Sequence, residues 1–209
     1  MTQEFELEII KSVLDGKLEA FETLVRAHEK TVYNLALRMT GSVEDAQDMT
    51  QETFIKVYRS LSSFRADSKF SVWIYRIASN VCCDFLRVRN RRSAVSLTVG
   101  DESTDSTLDI CDEAASVDRA LADSLTRDAI RRGLDTLPDE QRHILLLREI
   151  NGLSYEEIAK VLALEKGTVK SRIFRARKKL CAFLLRDGNI PDEFASLYSE
   201  GIRKEVPEK

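Results

Sequence analysis

The chain is poor in the residues on which most enzyme chemistry is built. Its 209 residues include two histidines and four cysteines. Cys82, Cys83, Cys111 and Cys181 form no CxxC pair of the kind that holds zinc or runs a redox cycle. Cys82 and Cys83 are adjacent, and neighbours on a helix do not both face one metal ion without distortion. Free thiols in a reducing compartment are the plain reading; redox sensing by Cys83, on a polar helix face, is the alternative. His28 belongs to a polar N-terminal helix and His143 to a helix starting at Pro138. Neither lies near a nucleophile motif, a glycine-rich phosphate loop or a second ligand at metal spacing. These absences argue against an enzyme, a cofactor and a metal site. No apolar run approaches the roughly 18 residues that cross a bilayer. Glu4, Glu6 and Glu8 stand where a signal peptide would be basic and then apolar. A cytoplasmic protein with no direct membrane insertion is expected.

What the chain does have is charge arranged in blocks. The net charge is only −3. Yet Lys69 to Arg92 holds six basic residues and one acid, Asp84, whereas Gly100 to Asp123 holds eight acids and one base, Arg119. Two basic helices separated by an acidic spacer imply two nucleic-acid contacts on a jointed protein.

The sharpest signal runs from Leu153 to Leu180, LSYEEIAKVLALEKGTVKSRIFRARKKL. Ser154 and Glu157 have the spacing of a capping box, with Leu153 and Ile158 at the staple positions around it. A helix to about Leu162, a short turn and a second helix from near Lys166 make a helix-turn-helix. At about 100° per residue, Val169, Ile173, Ala176 and Leu180 fall on one apolar stripe. The opposite face carries Lys170, Ser171, Phe174, Arg175 and Lys178. Between Glu165 and Leu180 there are seven bases and one acid. An ordinary solvated face mixes both signs, so the pattern favours DNA.

Helical periodicity covers Glu6–Leu14, Leu18–Met39, Val43–Leu61 and Phe70–Arg91, then about Asp118–Leu134, Pro138–Ile150, Tyr155–Leu162 and Lys166–Leu185. Gly41 and Gly152 read as helix-ending or turn glycines, and Pro138 suits the first turn of its helix. The fold class is all-α, with two small helical domains joined by a flexible acidic linker. The expected boundaries are 1–95, a linker over 96–122, 123–187 with the helix-turn-helix, and a disordered tail over 188–209. Ser93–Ala115 is too polar to offset the cost of ordering it.

In the Phe70–Arg91 helix, Phe70, Trp73, Ile74, Ile77, Val81 and Phe85 make the expected core stripe, which buries Trp73 rather than offering it to bases. Arg76, Asn80, Cys83 and Arg87 line a second, polar stripe. An asparagine between arginines suits a base edge flanked by phosphates, although an ordinary wet face looks the same. The block Arg87–Arg92 adds a phosphate grip. In the Val43–Leu61 helix the expected core stripe is Ala46, Thr50, Thr53, Phe54, Val57 and Leu61. The other side shows Asp45, Asp48, Gln51, Glu52 and Ile55. An apolar residue among acids fits a protein-contact patch with a basic partner, but one exposed isoleucine is also commonplace.

Together these segments resemble a known family. DAQDMTQETFIKVYRSL at Asp45–Leu61 is similar to conserved region 2.2 of bacterial sigma factors. FSVWIYRIASNVCCDFLRVRNRR at Phe70–Arg92 resembles regions 2.3 and 2.4, and the helix-turn-helix resembles region 4.2. The order and spacing are those of the extracytoplasmic-function, or group IV, sigma factors, which keep domains 2 and 4 alone. The resemblance covers about Phe5 to Arg186. It implies a transcription initiation factor that directs core RNA polymerase to promoters. Asp48, Gln51, Glu52 and Ile55 would meet the clamp helices of the largest β-type subunit, and the polymerase flap would be a further contact. Phe64, Lys69, Arg76, Asn80 and Arg87 would hold the melted −10 strand, and Lys170, Ser171, Phe174, Arg175 and Lys178 would read the −35 duplex. It further implies an anti-sigma partner. The acidic spacer would either mimic nucleic acid in the polymerase cleft or serve as an extended tether. The competing readings are a conventional helix-turn-helix regulator, for which the two stripes of the first domain would have no purpose, and a helical enzyme or metal switch, for which the ligands are missing.

Overall fold

The computed structural model describes residues 2–96 and 127–187. The expected linker 96–122, apart from Ser96, lies outside the described residues, as do the N-terminal part of the Asp118–Leu134 helix and the tail 188–209. The chain forms two compact units, the first built on α1 to α4 and the second on α5, α6, α8 and the start of α7.

In the first unit, α1 (Gln3–Leu14), α2 (Glu19–Thr40), α3 (Val43–Ser60) and α4 (Phe70–Ser96) pack as an α-helical bundle, with a 3-10 turn at Leu61–Ser63. α2 stops at Gly41, whose φ of 75° is the left-handed conformation that favours glycine. Ser42 follows in extended backbone, and its hydroxyl accepts from the Asp45 amide at 3.3 Å, capping α3. Ala46, Thr50, Thr53, Phe54, Val57 and Leu61 are all buried, with Met49 beside them. The two threonines tolerate burial because their hydroxyls donate to the Ala46 and Met49 carbonyls at 2.7 Å.

α4 departs from the expected stripe. Ile77 and Phe85 are only half-buried, whereas Val72, Tyr75, Ala78, Ser79, Cys82 and Leu86 are buried along with Phe70, Trp73, Ile74 and Val81. α4 packs against both α2 and α3, so its buried arc is wide and is centred on small and medium side chains. A reading weighted by large residues misses that rotation. His28 also differs from expectation. It lies on α2 with its Nε2 3.1 Å from Glu6 Oε1 of α1, and its ring meets Phe70 edge-on at 5.5 Å. Burial lowers its pKa, against the opposing pull of Glu6.

Residues 127–187 form α5, described over 127–135, then α6 (Asp139–Leu145), a π-helical turn at Leu146–Ile150, α7 (Tyr155–Leu162) and α8 (Lys166–Asp187). Pro138 is the N-cap rather than the first helical residue, and its carbonyl accepts from the Gln141 and Arg142 amides at 2.8 and 2.9 Å. Arg142 closes the end of α5, donating to the Leu134 and Asp135 carbonyls at 3.0 and 3.1 Å. Gly133 lets α5 and α8 approach closely: a Cβ there would stand 2.6 Å from a Leu180 methyl. Ile144, Leu145, Leu146 and Leu147 are buried in succession, so the junction of α6 with the π turn is enclosed on every side.

His143 shares that enclosure, and burial pushes its pKa down from 6.5 to about 4. The folded state therefore keeps the imidazole neutral, while the unfolded chain takes a proton near 6.5. Stability is complete above the unfolded value and falls by roughly 1 kcal/mol per pH unit as the pH drops towards about 4. Thermal melts at pH 7, 6 and 5 should show that slope for the second unit. His143→Leu should flatten it, and an unchanged slope in that variant would contradict the assignment.

Candidate functional site

The helix-turn-helix is assembled from local rules. The Ser154 amide donates to Glu157 at 2.8 Å and the Glu157 amide to the Ser154 hydroxyl at 3.2 Å, closing the capping box in both directions. Leu153 and Ile158 are buried around it. The guanidinium of Arg148 donates to the Leu153 carbonyl at 2.8 Å and lies over the Tyr155 ring at 4.8 Å, tying the π turn to the start of α7. The turn into α8 passes through Ala163 at φ 51°, a left-handed position usually given to glycine.

On α8, Val169, Ile173, Ala176 and Leu180 are buried, joined by Cys181 and Leu184. Lys170, Ser171, Arg175 and Lys178 are exposed on the outward side, and Phe174 is half-buried among them. The seven bases separate into two groups, which the sequence alone does not reveal. Arg177 pairs with Glu149 at 2.6 Å and Arg172 with Glu140 at 2.9 Å, while Lys166 pairs with Glu156. Lys166 holds the Glu156 carboxyl below its usual range, mainly through that hydrogen bond. Lys170, Arg175, Lys178 and Lys179 make no ion pair among the described residues. The outward centre of the helix is thus a concentrated positive surface with one aromatic side chain in it.

In the first unit, Asp48, Gln51, Glu52 and Ile55 are exposed along α3, and Glu52 pairs with Lys56 at 2.7 Å. Beside Ile55 runs an open groove of about 700 Å³, with Phe21, Val25 and Tyr33 of α2 facing Phe54, Ile55 and Tyr58 of α3. Phe21 and Tyr58 meet edge-on at 5.1 Å. The groove escaped the sequence reading because its two walls lie on different helices. Only the tertiary fold joins them.

On α4, Arg76, Asn80 and Arg87 are all exposed, and Arg87 pairs with Asp84 at 2.8 Å. Phe64 and Lys69 sit on the preceding loop, where Ala66 adopts φ 58°. The Phe64 ring is anchored at 5.2 Å from Phe70 and 5.4 Å from Trp73, and those two stack on each other. The basic block at the end of α4 needs a correction. Arg89 turns inward, donating to the Thr40 carbonyl at 2.8 Å beside Asp45 and lying over Phe85, so it serves the packing of α4 on the α2–α3 turn. Cys83 is half-buried. Its neighbour Cys82 is fully buried, and desolvation pushes its thiol up to about 12.

The segments that carry these surfaces match known family models. The sigma-70 region 2 model matches residues 24–92 and the sigma-70 region 4 model residues 127–180. The RNA polymerase sigma-H factor of Pseudomonas aeruginosa is 38% identical over 181 residues, which is 86% of this chain and 94% of that one. The chain belongs to the ECF-type RNA polymerase sigma factors. The ECF RNA polymerase sigma-E factor of Escherichia coli K12 is 37% identical over 173 residues, 82% of this chain and 90% of its own length. Among solved structures, the sigma factor RpoE of Bartonella quintana, in complex with the anti-sigma factor NepR, matches with a TM-score of 0.63 and 26% identity over 78% of this chain and 96% of that one. CnrH, in complex with the cytosolic domain of CnrY, matches with a TM-score of 0.62 and 27% identity over 86% and 97%. As a sigma factor the protein is a transcription initiation factor that directs RNA polymerase to promoters. Among the described residues no helix is long and apolar enough to cross a membrane.

Proposed function

We propose that this sigma factor is a two-domain, group IV member that divides promoter recognition between its units. Residues 1–95 form the domain for core polymerase and the −10 element, and residues 123–187 the domain for the −35 element. In the −35 domain, Lys170, Ser171, Phe174, Arg175 and Lys178 enter the major groove. The observation that carries this reading is the outward face of α8, where the cations with no ion pair among the described residues gather while the flanking ones are held by acids. Cations and a hydroxyl at the centre of a groove-bound helix reach base edges.

In the first domain, Asp48, Gln51, Glu52 and Ile55 dock on the clamp helices of the largest β-type subunit. Arg76, Asn80 and Arg87 hold the melted non-template strand of the −10 element, together with Phe64 and Lys69 of the loop. Anchoring Phe64 against Phe70 and Trp73 keeps that loop in a defined shape, which helps offset the few kcal/mol that extruding a base costs. An anti-sigma factor is the expected antagonist, since the similar sigma factor RpoE was solved in complex with the anti-sigma factor NepR. Binding of core polymerase by the tagged chain tests the assignment. The wild type should retain core enzyme, and a chain that binds cognate duplex but retains no polymerase would favour a conventional regulator.

A further inference from the structure

Three of the seven cations between Glu165 and Leu180 point sideways, at acids drawn from three different elements. Lys166 and Arg177 lie along one edge of the buried stripe and Arg172 along the other, as about 100° per residue requires. Glu149 of the π turn accepts from Arg177 through Nε at 2.9 Å and Nη2 at 2.6 Å. Glu140 of α6 takes Arg172 at 2.9 Å, and Glu156 of α7 takes Lys166. The Arg177 pair is the most enclosed, with the arginine side chain 14% exposed. A π turn places one more residue in the ring than an α turn, which rotates the side chains at its end. Here Glu149 sits within that turn.

The two groups of cations would act differently on DNA. Phosphates lie on both sides of a helix seated in the major groove, and flanking cations grip them whatever the sequence, whereas central residues read base edges. We propose that Glu149, assisted by Glu140 and Glu156, is a specificity-determining residue that withholds Arg177, Arg172 and Lys166 from the DNA backbone. The inference rests on α8 being the −35 helix and adds that its acidic neighbours lower its sequence-independent affinity.

The test uses holoenzyme assembled from core polymerase and titrated against promoter fragments with a cognate or a scrambled −35 element, over a series of salt concentrations. Glu149→Gln should tighten binding to the scrambled fragment several-fold, narrow the cognate-to-scrambled ratio, and steepen the log–log salt slope by up to ~0.9, the contribution of one phosphate contact. Glu149→Asp keeps the charge but shortens the reach, so it should move both readouts in the same direction by less. The double variant Glu149→Gln with Arg177→Gln should return both to wild-type values, because the released cation is gone. If Glu149→Gln leaves the ratio and slope unchanged, or the double variant keeps the gain, the proposal is overturned. Lys170→Ala in the same titration separates the two levels. Should it lose cognate affinity while the Glu149 variants do nothing, only this inference fails; should it lose nothing, the −35 assignment itself fails.

Discussion

Arg175→Ala in the holoenzyme should lower transcription from promoters carrying the cognate −35 element by about 10-fold or more, with little loss where that element is absent. A bidentate base-edge contact is worth ~1–3 kcal/mol of discrimination, while a phosphate contact weakens all sequences alike. Arg175 is exposed on the outward side of α8, clear of the buried stripe and of the paired cations. Lys170→Ala should behave the same way. Arg177→Ala should leave −35 preference in place, since its guanidinium is engaged by Glu149. Relaxed −35 preference in Arg177→Ala, with none in Arg175→Ala, would show that the helix is rotated from the phase described. Run-off transcription from matched promoters differing only in the −35 hexamer is the measurement.

The second large effect separates the two faces of the first domain. Asp48→Ala combined with Ile55→Ala should weaken core-polymerase binding by 10-fold or more, as truncation at the centre of an interface does, with the fold intact. Both side chains are exposed, and Ile55 keeps 43% of its surface in solvent. Asn80→Ala should spare holoenzyme assembly and impair promoter opening, because it removes hydrogen-bonding capacity towards a base rather than contact with protein. Asn80 is exposed on the α4 side it shares with Arg76 and Arg87. Core-affinity titrations and permanganate footprinting of the melted strand read the two effects independently. Loss of polymerase affinity in Asn80→Ala, with normal opening in whatever holoenzyme forms, would contradict the division.

The structure shows which kinds of signal the sequence carries in full. Capping, periodicity and glycine placement are local, and the features that depend on them appear as read: the Ser154–Glu157 box, the α3 stripe from Ala46 to Leu61, the α8 stripe from Val169 to Leu180 and the Gly41 terminus. What was not legible depends on partners distant in the chain. The arc of α4 is set by α2 and α3 packing on two sides, so Ala78, Cys82 and Leu86 displace Ile77 and Phe85 from the core. Arg89 looks like its basic neighbours until Thr40, 49 residues earlier, is seen to occupy it. The same holds for Arg172 and Arg177, whose acids come from 32 and 28 residues upstream. His28 belongs to a polar stretch of sequence, yet it is enclosed with Glu6 and Phe70. The π turn at Leu146–Ile150 has no composition signature, since the run reads as ordinary helix. Charge identity was therefore readable, and charge availability was not.

Promoter specificity is expected of the assembly and not of the free chain. Each unit offers one small basic surface, and the Gly100–Asp123 stretch between them carries eight acids against one base. Two weak readers gain little from being joined unless something holds them at a set separation, the role proposed here for core polymerase. The decisive measurement is a titration of labelled promoter DNA with the isolated chain and with reconstituted holoenzyme, at physiological salt and with a scrambled promoter alongside, because phosphate-driven affinity moves steeply with ionic strength. The account predicts weak, salt-sensitive binding without sequence preference for the chain alone, and tight discrimination between the two promoters once core polymerase is added. Specific nanomolar binding by the isolated chain would contradict it.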